Sequence, residues 1–137
     1  MDTLSGVFQG LIPVFIFFTV TYGFAKGVPV AVFSLAFVED GEPKMGVVYD
    51  PFTKKLYSAI KEQGAYMNDS PIKVSNRQLD FYATVDVEWF PESPYDLGTA
   101  VVQLAKKTQC YPLAIGSTIR AEMKVAQGDY EACLFAG

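Results

Sequence analysis

The tetrapeptide EDGE at residues 39–42 places the strongest constraint on how the first half of this chain folds. It is flanked by two strand-like segments, PVAVFSLAFV at 29–38 and PKMGVVYDP at 43–51. Both are rich in the β-branched and aromatic residues that favour extended structure. Gly41 can adopt the positive φ that a tight turn requires. The sequence therefore predicts a β-hairpin over residues 29–50.

Further strand-like segments surround this hairpin. VFIFFTV at 14–20 has the unbroken apolar character of a fully buried strand. LYSAIK at 56–61 follows the turn DPFTKK at 50–55, and the segment 62–75 is divided by the turn residues NDSP. Strands joined by tight turns pair with their sequence neighbours, so we expect an antiparallel meander.

The second half alternates strands with helices. The first predicted helix, over 96–109, carries apolar residues at positions 97, 100, 101, 104 and 105, which share one helical face. Ser93 or Asp96 could cap it. The second predicted helix covers 118–127, with Ser117 as its N-cap and Gly128 at its end. Strands are predicted around these helices at 82–90, 111–116 and 130–136.

These patterns together predict an α/β layered sandwich, in which an antiparallel meander is followed by strand–helix–strand–helix–strand. Such alternation is typical of βαβ units. The 137 residues are enough for one domain, and half of them are hydrophobic. We expect a single domain over 1–137, with an antiparallel half (1–80) and a βαβ half (81–137).

Histidine is absent from the sequence, and this excludes several kinds of chemistry. Triads that use histidine, histidine-based zinc sites and imidazole general bases all require that side chain. The net charge is −4 and the basic residues are not clustered. Nucleic acid is therefore not expected as a partner, because phosphate contacts need a basic surface.

The apolar run 11–20 is shorter than the roughly 20 residues of a membrane helix, so no membrane partner is expected. It also lacks the basic start of a signal peptide. Cys110 and Cys133 form no Cys-x-x-Cys motif. We interpret them as buried thiols of a cytoplasmic protein, and one disulfide between them is the alternative.

Two backbone features could bind an anion. The loop from Thr21 to Gly27 has two glycines that permit close backbone approach, although a glycine turn explains it equally. Gly116 precedes Ser117 and Thr118 at a predicted helix start, where unpaired N–H groups favour anions. Ordinary capping by Ser117 is the alternative there. Arg120 could help to hold an anion or be only a surface charge.

Two groups of carboxylates could carry chemistry. Asp86 and Glu88 share one face of a strand because alternate residues do, which suits acid–base or metal work. An exposed sheet face would explain them as well. Glu39, Asp40 and Glu42 cluster in the hairpin turn and could bind a hard cation loosely, although solvation at a turn is sufficient explanation.

The segments GFAKGVPVAVFSLAFVEDGEPKMGVVYDPFTKKLYSAIKEQGAYMNDSPIKVS (23–75) and GSTIRAEMKVAQGDYEACLF (116–135) carry a family resemblance. In order and spacing they resemble the central part of the inositol monophosphatase superfamily, which includes archaeal enzymes that also hydrolyse fructose 1,6-bisphosphate. The resemblance implies a truncated version of that layered fold. It also implies a small phosphorylated substrate and a homodimer.

The resemblance further implies Mg²⁺-dependent hydrolysis of an inositol or sugar phosphate monoester. The family's metal ligands are an upstream Glu, the two Asp of D-P-[IL]-D-G-T, and the Asp of a W-D motif. This sequence matches none of them, and FFTVTYGF at 17–24 stands where the D-P-[IL]-D-G-T motif should be. We therefore expect no metal ligand, no catalytic residue and no hydrolysis by this chain alone.

A few residues still match the family pattern. Thr21 matches its phosphate-contacting Thr, and Gly116, Ser117 and Thr118 match its substrate loop. The family's substrate-binding acid falls near Phe135, which cannot perform that role. Two alternatives to a phosphatase with outside ligands are a remnant that binds a phosphorylated ligand or a partner protein, and a deliberately shortened chain without native activity.

Overall fold

The structure is a computed structural model that describes residues 14–20, 22–89 and 93–136. The described strands of the first half form one sheet in which each strand pairs antiparallel with its sequence neighbour, so the predicted meander is confirmed. A short helix, α1 (Tyr22–Ala25), joins the first two strands. The strands are β1 (Val14–Val20), β2 (Ala31–Glu39), β3 (Glu42–Asp50), β4 (Lys55–Ile60), β5 (Gly64–Met67) and β6 (Ser70–Ile72).

The hairpin predicted over 29–50 is formed by β2 and β3. Glu39 pairs with Glu42, which leaves a two-residue loop. Asp40 and Gly41 both have positive φ, of 52° and 76°. This is the Asp-Gly geometry whose twist matches that of the flanking strands.

The second half forms a separate sheet of three parallel strands, in which the first strand along the chain lies between the other two. Parallel pairing confirms the predicted βαβ units, because only crossover connections allow it. Asp96 caps the first long helix by accepting a hydrogen bond from the Thr99 N–H at 3.0 Å. The elements are β7 (Thr84–Trp89), α2 (Leu97–Thr108), β8 (Tyr111–Leu113), α3 (Thr118–Ala126) and β9 (Ala132–Ala136).

Two local predictions differ from the structure. Part of the loop predicted over 21–27 is the helical turn α1, and just after it the Lys26 and Val28 N–H groups donate to the Gly23 carbonyl. The strand predicted over 111–116 ends at Leu113. It ends early because the next backbone N–H groups, from residues 115 to 117, donate to side-chain carboxylates instead of a neighbouring strand.

The core has two parts, and α3 connects them. Residues of β7 pack with Val101 and Leu104 of α2 in one cluster. Val32, Val48 and Tyr57 of the antiparallel sheet form the other cluster, against which Ile119 and Met123 of α3 pack. Because α3 also contacts β9, this helix links the two sheets. None of the helices in the described part of the chain is long and apolar enough to cross a membrane.

Gly128, which follows α3, lies close to the backbone at residues 73–75 and provides a test of that contact. Its φ is +83°, and a Cβ there would lie 2.8 Å from the Lys73 carbonyl oxygen. Gly41 has a similar φ of +76° with no atom within 4 Å of the added Cβ. We expect Gly41→Ala to cost about 1 kcal/mol of unfolding free energy through backbone strain. Gly128→Ala should cost at least about 1 kcal/mol more, because the backbone must also move. Equal losses of unfolding free energy for the two variants, measured by urea denaturation, would contradict the close approach of Gly128 to the Lys73 carbonyl.

Candidate functional site

The start of α3 has the geometry of a capped helix N-terminus. Gly116 takes a φ of 79°, which turns the chain from the end of β8 into the helix. Ser117 is 3% exposed, and its Oγ accepts a hydrogen bond from the Arg120 N–H at 3.4 Å. The N-cap predicted from the sequence is therefore confirmed.

Glu88 of β7 holds the two backbone N–H groups immediately before α3. Its Oε1 accepts hydrogen bonds from Gly116 N at 2.6 Å and from Ser117 N at 3.2 Å. A carboxylate at this position is favoured both by the unpaired N–H groups and by the positive end of the helix dipole. A carboxylate of the chain itself thus lies where the sequence predicts contact with an external anion.

Asp86 lies two residues earlier on the same strand and is completely buried. Its Oδ1 accepts a hydrogen bond from Ile115 N at 3.1 Å, whereas Oδ2 has no donor among the described residues. Burial, followed by the negative charge of Glu88, raises the pKa of Asp86 to about 7. A protonated Oδ2 can donate to Glu88, which satisfies the otherwise unpaired oxygen.

The pairing of β7 with β9 places a thiol beside these carboxyl groups. Cys133 lies opposite Asp86 in the parallel register. Burial raises the pKa of the Cys133 thiol, and the negative charges of Glu122 and Asp86 raise it further. The thiol is therefore neutral and a weak nucleophile. Cys133 is half-buried and Cys110 is buried. Both thiols are free, so the two cysteines do not form the disulfide that was the alternative interpretation.

Arg120 is directed away from the start of α3 and toward the antiparallel sheet. Its Nε lies 3.1 Å from Asp50 Oδ2, and its guanidinium also donates to the Pro29 carbonyl at 3.3 Å. Asp50 is 4% exposed, and its Oδ1 accepts from the N–H groups of Phe52 and Thr53. Arg120 is thus part of a nearly buried ion pair, which neither sequence interpretation anticipated.

The carboxylates of the described residues do not fit a magnesium site. Among residues 14–20, 22–89 and 93–136, no three His, Cys, Asp or Glu side chains are grouped so that they could hold a metal ion. Glu88 is engaged with two amides, and the raised pKa of Asp86, about 7, keeps a large part of this carboxyl group protonated at neutral pH. In the hairpin turn, Glu42 forms ion pairs with Lys44 and Lys61. A hard divalent cation needs several available anionic oxygens.

Comparison with known proteins shows which family this chain belongs to. The model of the "Inositol monophosphatase family" matches residues 20–137. The chain belongs to this family. The resemblance found from the sequence is therefore confirmed, and so is the predicted fold class, since solved family members share the arrangement of an antiparallel sheet followed by helices and parallel strands.

Individual relatives match the chain over part of their own length. Inositol monophosphatase 2 of Saccharomyces cerevisiae is 44% identical over 59 residues, which are 43% of this chain and 20% of that protein. A fructose-1,6-bisphosphatase/inositol-1-monophosphatase of Methanocaldococcus jannaschii is 32% identical over 77 residues, 56% and 29% of the two chains. The solved inositol monophosphatase of Thermotoga maritima superposes with a TM-score of 0.74 at 27% identity, covering 85% of this chain and 45% of that one. The chain thus spans less than half of the length of these relatives.

The structure brings together only some of the residues predicted as a phosphate site. Gly116, Ser117 and Thr118 lie at the start of α3. Thr21 lies outside the described residues, so its distance from them stays a prediction. Phe135, at the position of the family's acid, lies opposite Glu88 in the β7–β9 register and is 54% exposed. The contact of Glu88 with the α3 start was missed, because alternation along a strand shows which residues share a face but not what that face meets.

The raised pKa of Asp86 predicts a specific dependence of stability on pH. The folded state binds this proton more tightly than the unfolded state, in which the pKa is near its usual 3.8. The contribution of Asp86 to stability should be fully present below about pH 4 and be lost as the pH rises through about 7, by at most about 4 kcal/mol. Asp86→Asn should remove this component and be the more stable protein at pH 7.5. Urea unfolding of both proteins from pH 4 to 8 measures the difference, and a difference that does not change with pH would refute the assignment.

The ion pair between Arg120 and Asp50 should contribute to stability because it is largely buried. Arg120→Met leaves the Asp50 carboxylate without its partner, and we expect a loss of about 2–3 kcal/mol. Adding Asp50→Asn should recover part of the loss. As a control, Arg77→Met breaks the exposed pair with Asp80 and should cost no more than about 1 kcal/mol. A similar loss for both arginine variants in chemical denaturation would show that the buried pair has no special role.

Proposed function

We propose that this chain forms the substrate-binding part of a phosphatase that acts on an inositol phosphate or a sugar phosphate monoester. The proposal rests on the family match over residues 20–137. The relatives' names include both inositol monophosphatase and fructose-1,6-bisphosphatase activities, which supports this substrate class. In this proposal Gly116, Ser117 and Thr118 face the substrate, together with Thr21.

The proposed Mg²⁺ dependence requires ligands from outside the described residues, because those residues do not fit the ion. We therefore propose that the chain by itself does not hydrolyse phosphate esters by a metal-dependent route. The second candidate function, binding of a phosphorylated ligand without catalysis, is favoured by the same observation. Such binding needs no metal ligand, but a ligand at the start of α3 has to displace Glu88 from the Gly116 and Ser117 amides.

A homodimer and a cytoplasmic location are also proposed. Met45, Ile60 and Tyr66 of the antiparallel sheet are 41%, 45% and 40% exposed, and such apolar surface favours association. Both cysteines are free thiols, which supports a reducing compartment.

A phosphate-release assay tests the proposal about activity. The purified chain should release no phosphate above background from inositol 1-phosphate or fructose 1,6-bisphosphate, with or without added Mg²⁺. The physical reason is that no group of described carboxylates can hold the ions that activate water. A family enzyme that contains the D-P-[IL]-D-G-T and W-D motifs serves as the positive control. Turnover that Mg²⁺ stimulates and EDTA abolishes would overturn the proposed inactivity.

A further inference from the structure

A small cavity of about 70 Å³, with a wall that is partly apolar and partly charged, lies between the antiparallel sheet and α3. Apolar side chains, among them Val48 and Met123, form part of its wall. Cationic and hydrogen-bonding side chains form the rest, namely Asp50, Thr53, Lys55, Tyr57, Arg120 and Lys124. Thr21 and the segment 116–118, the phosphate-contacting residues predicted from the sequence, are not among these residues, whereas Arg120 is.

The charges that line this cavity are predominantly positive. Lys55, Arg120 and Lys124 carry positive charge, and Asp50 is the one acidic residue among the described residues of the lining. The Asp50 carboxylate is already satisfied by two backbone N–H groups and by Arg120. Arg120 and Lys124 are four residues apart on α3, so they lie on the same face of the helix.

Lys55 is the cation of this group that lacks a carboxylate partner. No acidic side chain of the described residues lies within ion-pair distance of its ammonium group. Lys124, by contrast, pairs with Asp129 at 2.7 Å. Burial of Asp129 opposes ionisation, but hydrogen bonds from Lys124 and Gln127 and the charges of Lys124 and Lys55 hold the pKa of Asp129 below its usual value. The positive charges of Lys55 and Lys124 therefore already stabilise one carboxylate, that of Asp129.

Tyr57 adds a neutral polar group to the same wall. Burial, followed by the charges of Asp50 and Asp129, raises the pKa of the Tyr57 hydroxyl, so the group stays neutral. It is 7% exposed and donates to Gln127 Oε1 at 2.7 Å. Because this single proton is donated to Gln127, the Tyr57 oxygen can only accept a hydrogen bond from a ligand, and the attraction for an anion comes from the three cations.

We propose that this cavity binds a small tetrahedral oxyanion, with Lys55, Arg120 and Lys124 as its cationic contacts. The size agrees, because one water needs roughly 10–15 Å³ of such volume and 70 Å³ holds about five non-hydrogen atoms, as in one phosphate group. The site is distinct from the start of α3, where the Gly116 and Ser117 amides are bonded to Glu88. It requires neither Mg²⁺ nor hydrolysis.

Titration of the ¹⁵N-labelled chain with inorganic phosphate at pH 7.5 tests the proposal, without magnesium and at constant ionic strength. We expect saturable shifts of the amide signals at 53–57 and 120–124, while those at 116–117 stay unchanged. A titration that adds chloride in place of phosphate, at the same ionic strength, is the control for general screening. The absence of saturable shifts, or shifts centred on 116–117, would overturn the proposal.

Two charge variants test which side chains make the site. Lys55→Gln should weaken phosphate binding about fivefold, since a partly exposed charge next to an anion contributes on the order of 1 kcal/mol. Lys124→Gln should weaken it at least as much, because Asp129 then loses its partner near the cavity. Lys106→Gln on the exposed side of α2 makes the same charge change elsewhere and should bind like the unaltered chain. If all three variants bind phosphate as tightly as the unaltered chain does, Lys55 and Lys124 do not contact the anion and the proposed cationic contacts are rejected.

The outcome of this titration is separate from that of the phosphatase assay. Inorganic phosphate is the probe and no turnover is measured, so an inactive chain can still give the expected shifts. Conversely, a chain that releases phosphate but shows no saturable shift at 53–57 and 120–124 would support the phosphatase and reject this cavity. Circular dichroism of each variant verifies that it is folded.

Discussion

The attachment of α3 to both sheets is the constraint on which the rest of the structure depends. From the parallel sheet, Asp86 and Glu88 bind the backbone N–H groups of residues 115–117, immediately before the helix. From the antiparallel sheet, Asp50 pairs with Arg120 one turn into the helix. Ile119 and Met123 pack on the same sheet. Directional polar contacts thus fix the position of α3, while apolar burial holds it there.

These polar contacts have a cost that shows in the protonation of the site. Burying the charged form of Asp86 beside the carboxylate of Glu88 is unfavourable, and the raised pKa of Asp86 is the consequence. The proton on Asp86 lets Glu88 remain a hydrogen-bond acceptor for the start of α3. The same arrangement means that an anion from solution would have to displace Glu88 from Gly116 and Ser117.

Much of the fold could be predicted from the sequence because its determinants are local. The Asp-Gly turn, the helical spacing of Leu97, Val101 and Leu104, and the cap at Ser117 each act within a few residues. The candidate site was less predictable. The Asp50–Arg120 pair joins residues 70 positions apart (120 minus 50), and the cavity unites residues from β4 and α3. No local pattern encodes such contacts.

The sequence by itself determined the order of the strands and of the two long helices, the family, and the lack of a match to the metal-binding motifs. Those properties follow from periodicity, turn residues and the identity of side chains. Tertiary structure decided what each polar side chain meets. It buried Asp86 instead of exposing it, directed Glu88 to the start of α3, and turned Arg120 toward Asp50 and a cationic cavity. The physical reason is that burial and pairing depend on which elements pack together, and only the folded chain settles that.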